Sequence, residues 1–412
     1  VIDGESFSFK DSGQVCDELE FKRLERRFAK LALYAILSEK YKEEMPWGAL
    51  TGIRPTKLAY TEIEKGLDFR PLFEKMRVSK QNTELVARIL KAQEGIYEKK
   101  DGNVDLFVSI PFCPTKCAYC SFITAPIEKT RQFLPDYLSA LSREIEESKP
   151  LIKNLRSIYI GGGTPFALSV SELERVLKPL DSLANVEYTV EAGRPDVFTR
   201  EKLALLKEHG VTRICINPQT FSDETLQKIG RKHTVADVYK AFEMIDGFGF
   251  DVNVDLIAGL EGETVETFAR GVEKAVQTGA ENITVHCLSL KAGAKLKEEC
   301  SYLENQSISD MISSSRRILS GAGYEPYYMY RQKYQAGNNE NVGWTKPSKA
   351  CVYNIDIMEE TTDNLALGAN AVSKRVTFEN GRIERFASQK DLKTYLEKTD
   401  EILEKRAKFF QK

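Results

Sequence analysis

From Val104 onward the chain alternates short apolar runs with stretches of helical spacing. The apolar runs predict strands over 104–110, 156–160, 186–192, 211–217, 250–257 and 281–287. Between them apolar residues recur every three to four positions, which predicts helices over 130–148, 170–183, 200–208, 234–246 and 264–278. Strict β/α alternation calls for a parallel sheet covered by helices. Six such units in about 185 residues fit a partial, TIM-like (β/α)6 barrel of the α/β class better than an eight-unit one. Ligands in such barrels gather at the C-terminal ends of the strands.

The flanks have a different rhythm. Residues 1–100 are expected to form a mainly helical accessory domain, with helices over Cys16–Lys42 and Ser79–Tyr97. Between these helices, Trp47–Lys57 is dense in turn formers and carries Arg54 and Lys57, which fit either a packed turn or an anion contact. The polar run Glu98–Asn103 reads as a linker, so the barrel domain is expected over 101–300. A small α+β region is expected over 301–412. It comprises a helix near 305–320, the apolar run Tyr324–Tyr330, a polar loop over Arg331–Lys349, a short β region and a terminal helix over 388–411. No repeat or low-complexity tract interrupts the chain.

Composition narrows the function classes. The 412 residues are 42% hydrophobic, enough for two or three domains, and 59 basic against 61 acidic residues leave a net charge of −2. That balance argues against broad nucleic-acid or anionic-membrane binding, and no apolar run is long enough to span a bilayer. Val1–Glu5 lacks a signal-peptide pattern, and the absent initiator Met suggests a start further upstream. A cytoplasmic location is therefore expected. There a cysteine cluster binds metal or does redox work more often than it forms disulfides.

Three of the eight cysteines are clustered. Cys113, Cys117 and Cys120 follow the first predicted strand in a CxxxCxxC loop. Soft thiolates at this spacing can surround one inorganic centre, and three is one fewer than closes a [4Fe–4S] or structural zinc site. An open iron would then remain for another ligand. His209, His233 and His286 are too scattered to suggest a histidine-rich zinc site. After the second strand, Gly161-Gly162-Gly163-Thr164-Pro165 lets backbone approach a ligand closely, without the spacing of a nucleotide-phosphate loop. Glu191 and Arg194 follow the third strand; Asn217, Gln219 and Thr220 follow the fourth; Asp255 closes the fifth. Polar residues at successive strand ends form a pattern for gripping a polar small molecule.

Together these motifs resemble the radical S-adenosylmethionine (SAM) enzymes. In them three cysteines hold a [4Fe–4S] cluster whose fourth iron binds SAM. Reductive cleavage of SAM yields a 5′-deoxyadenosyl radical that abstracts hydrogen from the substrate. A closer resemblance, over about 104–375, is to the HemN-like oxygen-independent coproporphyrinogen III oxidases. It rests on Ile110–Cys113, Gly161–Pro165, Pro218–Phe221, Ile229–His233, Asp255–Leu260 and Leu367–Ala371. The added N-terminal part with Thr51–Lys57 looks like the HemZ-type coproporphyrinogen dehydrogenases.

The resemblance implies a [4Fe–4S] cluster on Cys113, Cys117 and Cys120 and one or two SAM molecules. Gly162 and Glu191 would contact the first SAM, and Tyr119, Gly163, Thr164, Gln219, Arg231 and Asp255 would surround a second. Two positions depart from the decarboxylase pattern: Phe107 stands where that pattern has a tyrosine at the cofactor, and Phe122 where it has a further cysteine. The expected reaction is oxidative decarboxylation of coproporphyrinogen III propionates to vinyl groups in heme biosynthesis, with a reducing donor such as flavodoxin or ferredoxin. Arg54, Lys57, Arg331, Lys333 and Lys346 are candidate partners for the substrate carboxylates. Two rival readings are a HemW-like heme-binding or heme-transfer protein and a radical SAM methyltransferase using a second SAM.

Overall fold

The computed structural model describes residues 18–52, 54–122, 125–289, 305–332, 339–379 and 381–411. Its strands are β1 (Asn103–Ile110), β2 (Phe112–Cys113), β3 (Ala125–Pro126), β4 (Asn154–Gly162), β5 (Glu187–Gly193), β6 (Arg213–Gln219) and β7 (Asp251–Ala258). They continue with β8 (Asn282–Cys287), β9 (Glu325–Tyr330), β10 (Asn341–Thr345), β11 (Asp363–Leu367), β12 (Val372–Thr377) and β13 (Arg382–Ala387). Eleven of them form one sheet in the order β13-β12-β11-β1-β4-β5-β6-β7-β8-β10-β9. Its centre is the expected partial (β/α)6 barrel, β1-β4-β5-β6-β7-β8, with every neighbouring pair parallel.

An open barrel leaves two edges with unpaired backbone groups. The C-terminal part of the chain fills both: β11 adds parallel to β1, and β10 pairs antiparallel with β8. Strand β10 lies inside the stretch expected to be a polar loop. Its Asn and Gly residues hide it from a propensity reading, yet Val342 and Trp344 are buried where it pairs with β8 and β9. Outermost β9 is covered in turn by the helix Lys80–Ala92, which buries Leu85, Val86 and Ile89. Ser79 starts that helix by accepting the Asn82 N–H at 3.2 Å.

Parity along the strands separates two environments. Ile158, Ile160, Tyr188, Val190, Ile214, Ile216, Val252 and Val254 are buried in the main apolar core. The alternate residues make polar contacts with one another: Ser157 with Asp105, Tyr159 with Glu191, Arg213 with Asn253, and Thr284 with Tyr328. A parallel strand buried on both faces usually reads as almost wholly apolar. Here one face is polar because it points into the barrel.

The covering helices follow the predicted order, with two adjustments. The second ends as α-helix at Leu177 and tightens into a 3-10 segment over Lys178–Leu183, because Pro179 lacks the N–H that would continue the ladder. The terminal helix is two pieces, Leu392–Glu397 and Thr399–Gln411. Among the described residues no helix is long and apolar enough to cross a membrane.

The last helix is clamped by charge. Arg406 pairs with Glu144 on the first barrel helix, both side chains 1% exposed. Glu144 also accepts from the Gly368 N–H at 2.9 Å and from the Tyr395 hydroxyl. Arg406→Leu should therefore strand a buried carboxylate and cost about 3–5 kcal/mol in denaturant-unfolding stability. Loss of less than about 1 kcal/mol would show that the carboxylate is satisfied without it.

Candidate cofactor and substrate cavity

Parallel register sets the site. Ile110 at the end of β1 lies opposite Gly162 at the end of β4, so the cysteine loop and the glycine loop leave the sheet side by side. Backbone bonds lock them: Gly163 N–H donates to Ile110 O at 2.8 Å, and Thr164 N–H to Phe112 O at 2.7 Å. A Cβ on Gly163 would lie 2.5 Å from Phe112 O and 2.7 Å from Ile110 O, and Gly162 has φ +101°. Only glycine fits this junction. On the other side, Ala118 N–H donates to Ile229 O at 3.1 Å, tying the loop to the turn before Arg231.

The Thr164 hydroxyl lies 3.6 Å from Cys113 Sγ, while burial pushes the Cys120 thiol up and the neighbouring Phe122 amide pulls against it. A hydroxyl donor beside a ligating sulfur tunes sulfur-bound iron. A tetrahedral ion would need its ligands gathered about one point. Among the described residues no three His, Cys, Asp or Glu side chains are so placed. A cubane instead takes one thiolate per iron, so the loop fits a [4Fe–4S] cluster better than a single ion.

The loop opens onto a cavity of about 320 Å³, within the range of small-molecule sites. Its lining includes Cys113, Cys117 and Cys120 together with Tyr119, Gly162, Gly163 and Thr164. From the far strands come Glu191, Gln219 and Asp255, and from the turn after the helix Asp223–Lys228 comes Arg231. Gln219 sits at a register shift between β6 and β7 with φ +69°, a strained conformation that sets its side chain at the wall. Arg231 donates to Asn217 O and to the Tyr119 hydroxyl, the latter at 3.1 Å, while its Nε has no partner. Burial, with Asp255 nearby, pushes the Glu191 carboxyl up to about 7, against hydrogen bonds from the Tyr159 hydroxyl and Gly162 N–H that pull it down.

Other expected residues lie elsewhere. Phe107 is in an aromatic layer with Tyr159 and Tyr353, and the cavity lining does not include it. Arg54 and Lys57 both pair with the buried Glu360, which accounts for their charge within the fold. Arg331 lies over the Trp47 ring and donates to Leu50 O at 2.5 Å, and Lys346 pairs with Glu281 and donates to Gly279 O. Lys333 falls outside the described residues.

His286 is the residue that motif reading missed. It lines the cavity, with Nδ1 3.1 Å from the Tyr330 hydroxyl and Nε2 3.6 Å from Asp255 Oδ1. Strand parity could have found it, since it continues the inward series Asn282, Thr284. Arg194, another lining residue, is spent on a two-pronged contact with Asp196 and a bond to Thr115 at 2.5 Å.

Comparison with known proteins agrees with this geometry. Residues 107–275 match the model of the radical SAM superfamily. The chain is 36% identical over 389 residues to the "oxygen-independent coproporphyrinogen-III oxidase-like protein HemZ" of Bacillus subtilis, covering 89% of this chain and 77% of that protein. Heme chaperone HemW of the same organism is 39% identical over 44% of this chain and 49% of its own length. In fold the chain is similar to coproporphyrinogen III oxidase HemN from Escherichia coli, with TM-score 0.60 and 23% identity over 76% of this chain and 72% of that one. The protein belongs to the radical SAM superfamily, whose cofactors are a [4Fe–4S] cluster and SAM. Within it, the branch is the one that contains HemN, HemZ and HemW.

Cys117→Ala should fold but lose the brown cluster absorbance and its bound iron after anaerobic reconstitution. Full iron content in that variant would remove Cys117 from the ligand set. Gly163→Ala must push two carbonyls apart, at a cost of about 1–3 kcal/mol in thermal or denaturant unfolding.

Proposed function

We propose that the protein catalyses a radical SAM reaction on a tetrapyrrole, namely oxidative decarboxylation of coproporphyrinogen III propionates to vinyl groups. The observation that carries this reading is the single cavity joining the three-cysteine loop to the strand-end polar residues. The identity shared with the coproporphyrinogen oxidase-like HemZ supports the substrate class. Bound there, cluster and SAM would supply reductive sulfonium cleavage and hence hydrogen-atom abstraction from carbon.

The chain's own contribution is binding and orientation. Cys113, Cys117 and Cys120 would hold the cluster, and Gly162 and Glu191 would receive SAM. Tyr119, Gly163, Thr164, Gln219, Arg231 and Asp255 surround the space in which a second SAM or the substrate would lie. Each propionate converted loses one hydrogen atom, CO2 and one electron, so a low-potential donor such as flavodoxin or ferredoxin and a separate acceptor are both required. The described lining offers few cations for the substrate carboxylates: Arg194 is paired and Arg231 is committed to Asn217 and Tyr119. Lys333 remains a candidate for that role.

Heme binding without decarboxylation is the second reading. It is favoured by Phe122, which is 65% exposed and lines the cavity where decarboxylase-like relatives carry a cysteine. An exposed aromatic ring suits the flat face of a macrocycle.

Reconstituted protein given dithionite, SAM and coproporphyrinogen III should release 5′-deoxyadenosine together with CO2. 5′-Deoxyadenosine without CO2 would move the substrate to a rival. Stoichiometric heme binding with no turnover would favour the chaperone reading.

A further inference from the structure

Beneath the cavity lies a stack of aromatic rings that neither the cluster nor the substrate reading uses. Tyr159 of β4 packs on Tyr353 with ring centroids 4.4 Å apart and planes 21° from parallel. Phe107 of β1 extends the stack, 6.2 Å from Tyr159 and 6.4 Å from Tyr353. Tyr353 belongs to the helix Val352–Glu359, more than 180 residues beyond the glycine loop in sequence, and does not line the cavity. Its backbone N–H donates to Glu187 Oε1 at 3.2 Å, which fixes the helix start to β5.

One polar contact joins this stack to the cavity. The Tyr159 hydroxyl donates to Glu191 Oε1 at 2.6 Å, a short charge-assisted bond. The Gly162 amide beside it also favours the charged form of that carboxylate. A Cβ at Gly161 would meet Glu191 Oε2 at 2.8 Å, so the carboxylate occupies a slot between hydroxyl, amide and bare glycine. A glutamate's terminal torsion is soft, and without such restraints its carboxylate samples a broad range. Phe107 has no hydroxyl, so within the stack the link to Glu191 is made by Tyr159.

We propose that Tyr159 is a positioning residue for SAM: clamped by Tyr353, it fixes the orientation in which the Glu191 carboxylate meets the cationic cofactor. This rests on the reading of Glu191 as a SAM contact. It goes further by making the affinity for SAM depend on a C-terminal helix outside the cavity. Binding energy is gained because the carboxylate is ordered before the ligand arrives.

The charge state of Glu191 gives a second readout. The titratable groups around it are Tyr159, Asp255, His286, Cys215 and Tyr353. A carboxylate at about 7 becomes anionic as pH rises through 7, so affinity for cationic SAM should climb over the same interval. The Tyr159 hydrogen bond favours the charged form, so deleting it moves that midpoint to higher pH.

The test is equilibrium binding of SAM to the oxidised, reconstituted protein, in which SAM is not cleaved. Between about pH 6 and 8.5, Tyr159→Phe should weaken binding about ten-fold at pH 7 and shift the midpoint upward, with iron content unchanged. Tyr353→Ala should weaken binding several-fold, whereas Tyr353→Phe, which keeps the ring, should bind as the wild type does. Glu191→Gln separates the carboxylate's role from that of the tyrosine that holds it. If it abolishes tight binding while Tyr159→Phe stays within about two-fold of wild type at every pH, the positioning role is wrong and Glu191 stands. If Glu191→Gln binds SAM normally, the Glu191 reading falls, and the role of Tyr159 with it.

Discussion

The structure depends on how parallel strands align their ends. Because β1 and β4 run side by side in register to Ile110 and Gly162, residues 52 positions apart emerge at one rim. Each further parallel step adds another strand end: Glu191 from β5, Gln219 from β6, Asp255 from β7 and His286 from β8. No single loop could supply this set of chemistries. The helices on the outer face leave the barrel interior free to be polar, and that freedom is used along most strands.

The alternation of apolar runs and helical patterns made the barrel legible, and the cysteine and glycine loops were legible because their spacing is itself the chemistry. Charge was not. Arg54, Lys57, Arg331 and Lys346 can be counted in a sequence, but whether each is free depends on where Glu360, Trp47 and Glu281 fold back upon them. Cations exposed on a linear chain look available for an anionic ligand; within the fold, they are held by carboxylates, carbonyls and an aromatic face. Strand β10 was missed for a related reason, since pairing with β8 and β9 overrides the poor strand propensity of Asn341 and Gly343.

His286 shows a different kind of miss. Its signal was present as parity on β8, but motif reading treats a histidine by its neighbours in sequence rather than by the face it occupies. The same parity places Phe107 and Tyr159 in the interior, one layer below the ligand-facing residues. Reading the barrel in layers, instead of loop by loop, separates residues that touch a ligand from those that hold the touching residues in place.

The pairing of β11 with β1 has a consequence for how the protein is made. β1 is an early barrel strand, and the neighbour on its outer edge is Asp363–Leu367, more than 250 residues later. During synthesis the cysteine loop therefore emerges long before the strand that closes the sheet beside it. The Ser109 hydroxyl donates to Ala369 O at 2.9 Å, so the backbone leading into the loop also waits for the distal segment. Contacts this distant in sequence form late. The iron-binding loop thus spends most of translation without the strand and carbonyl that finally support it.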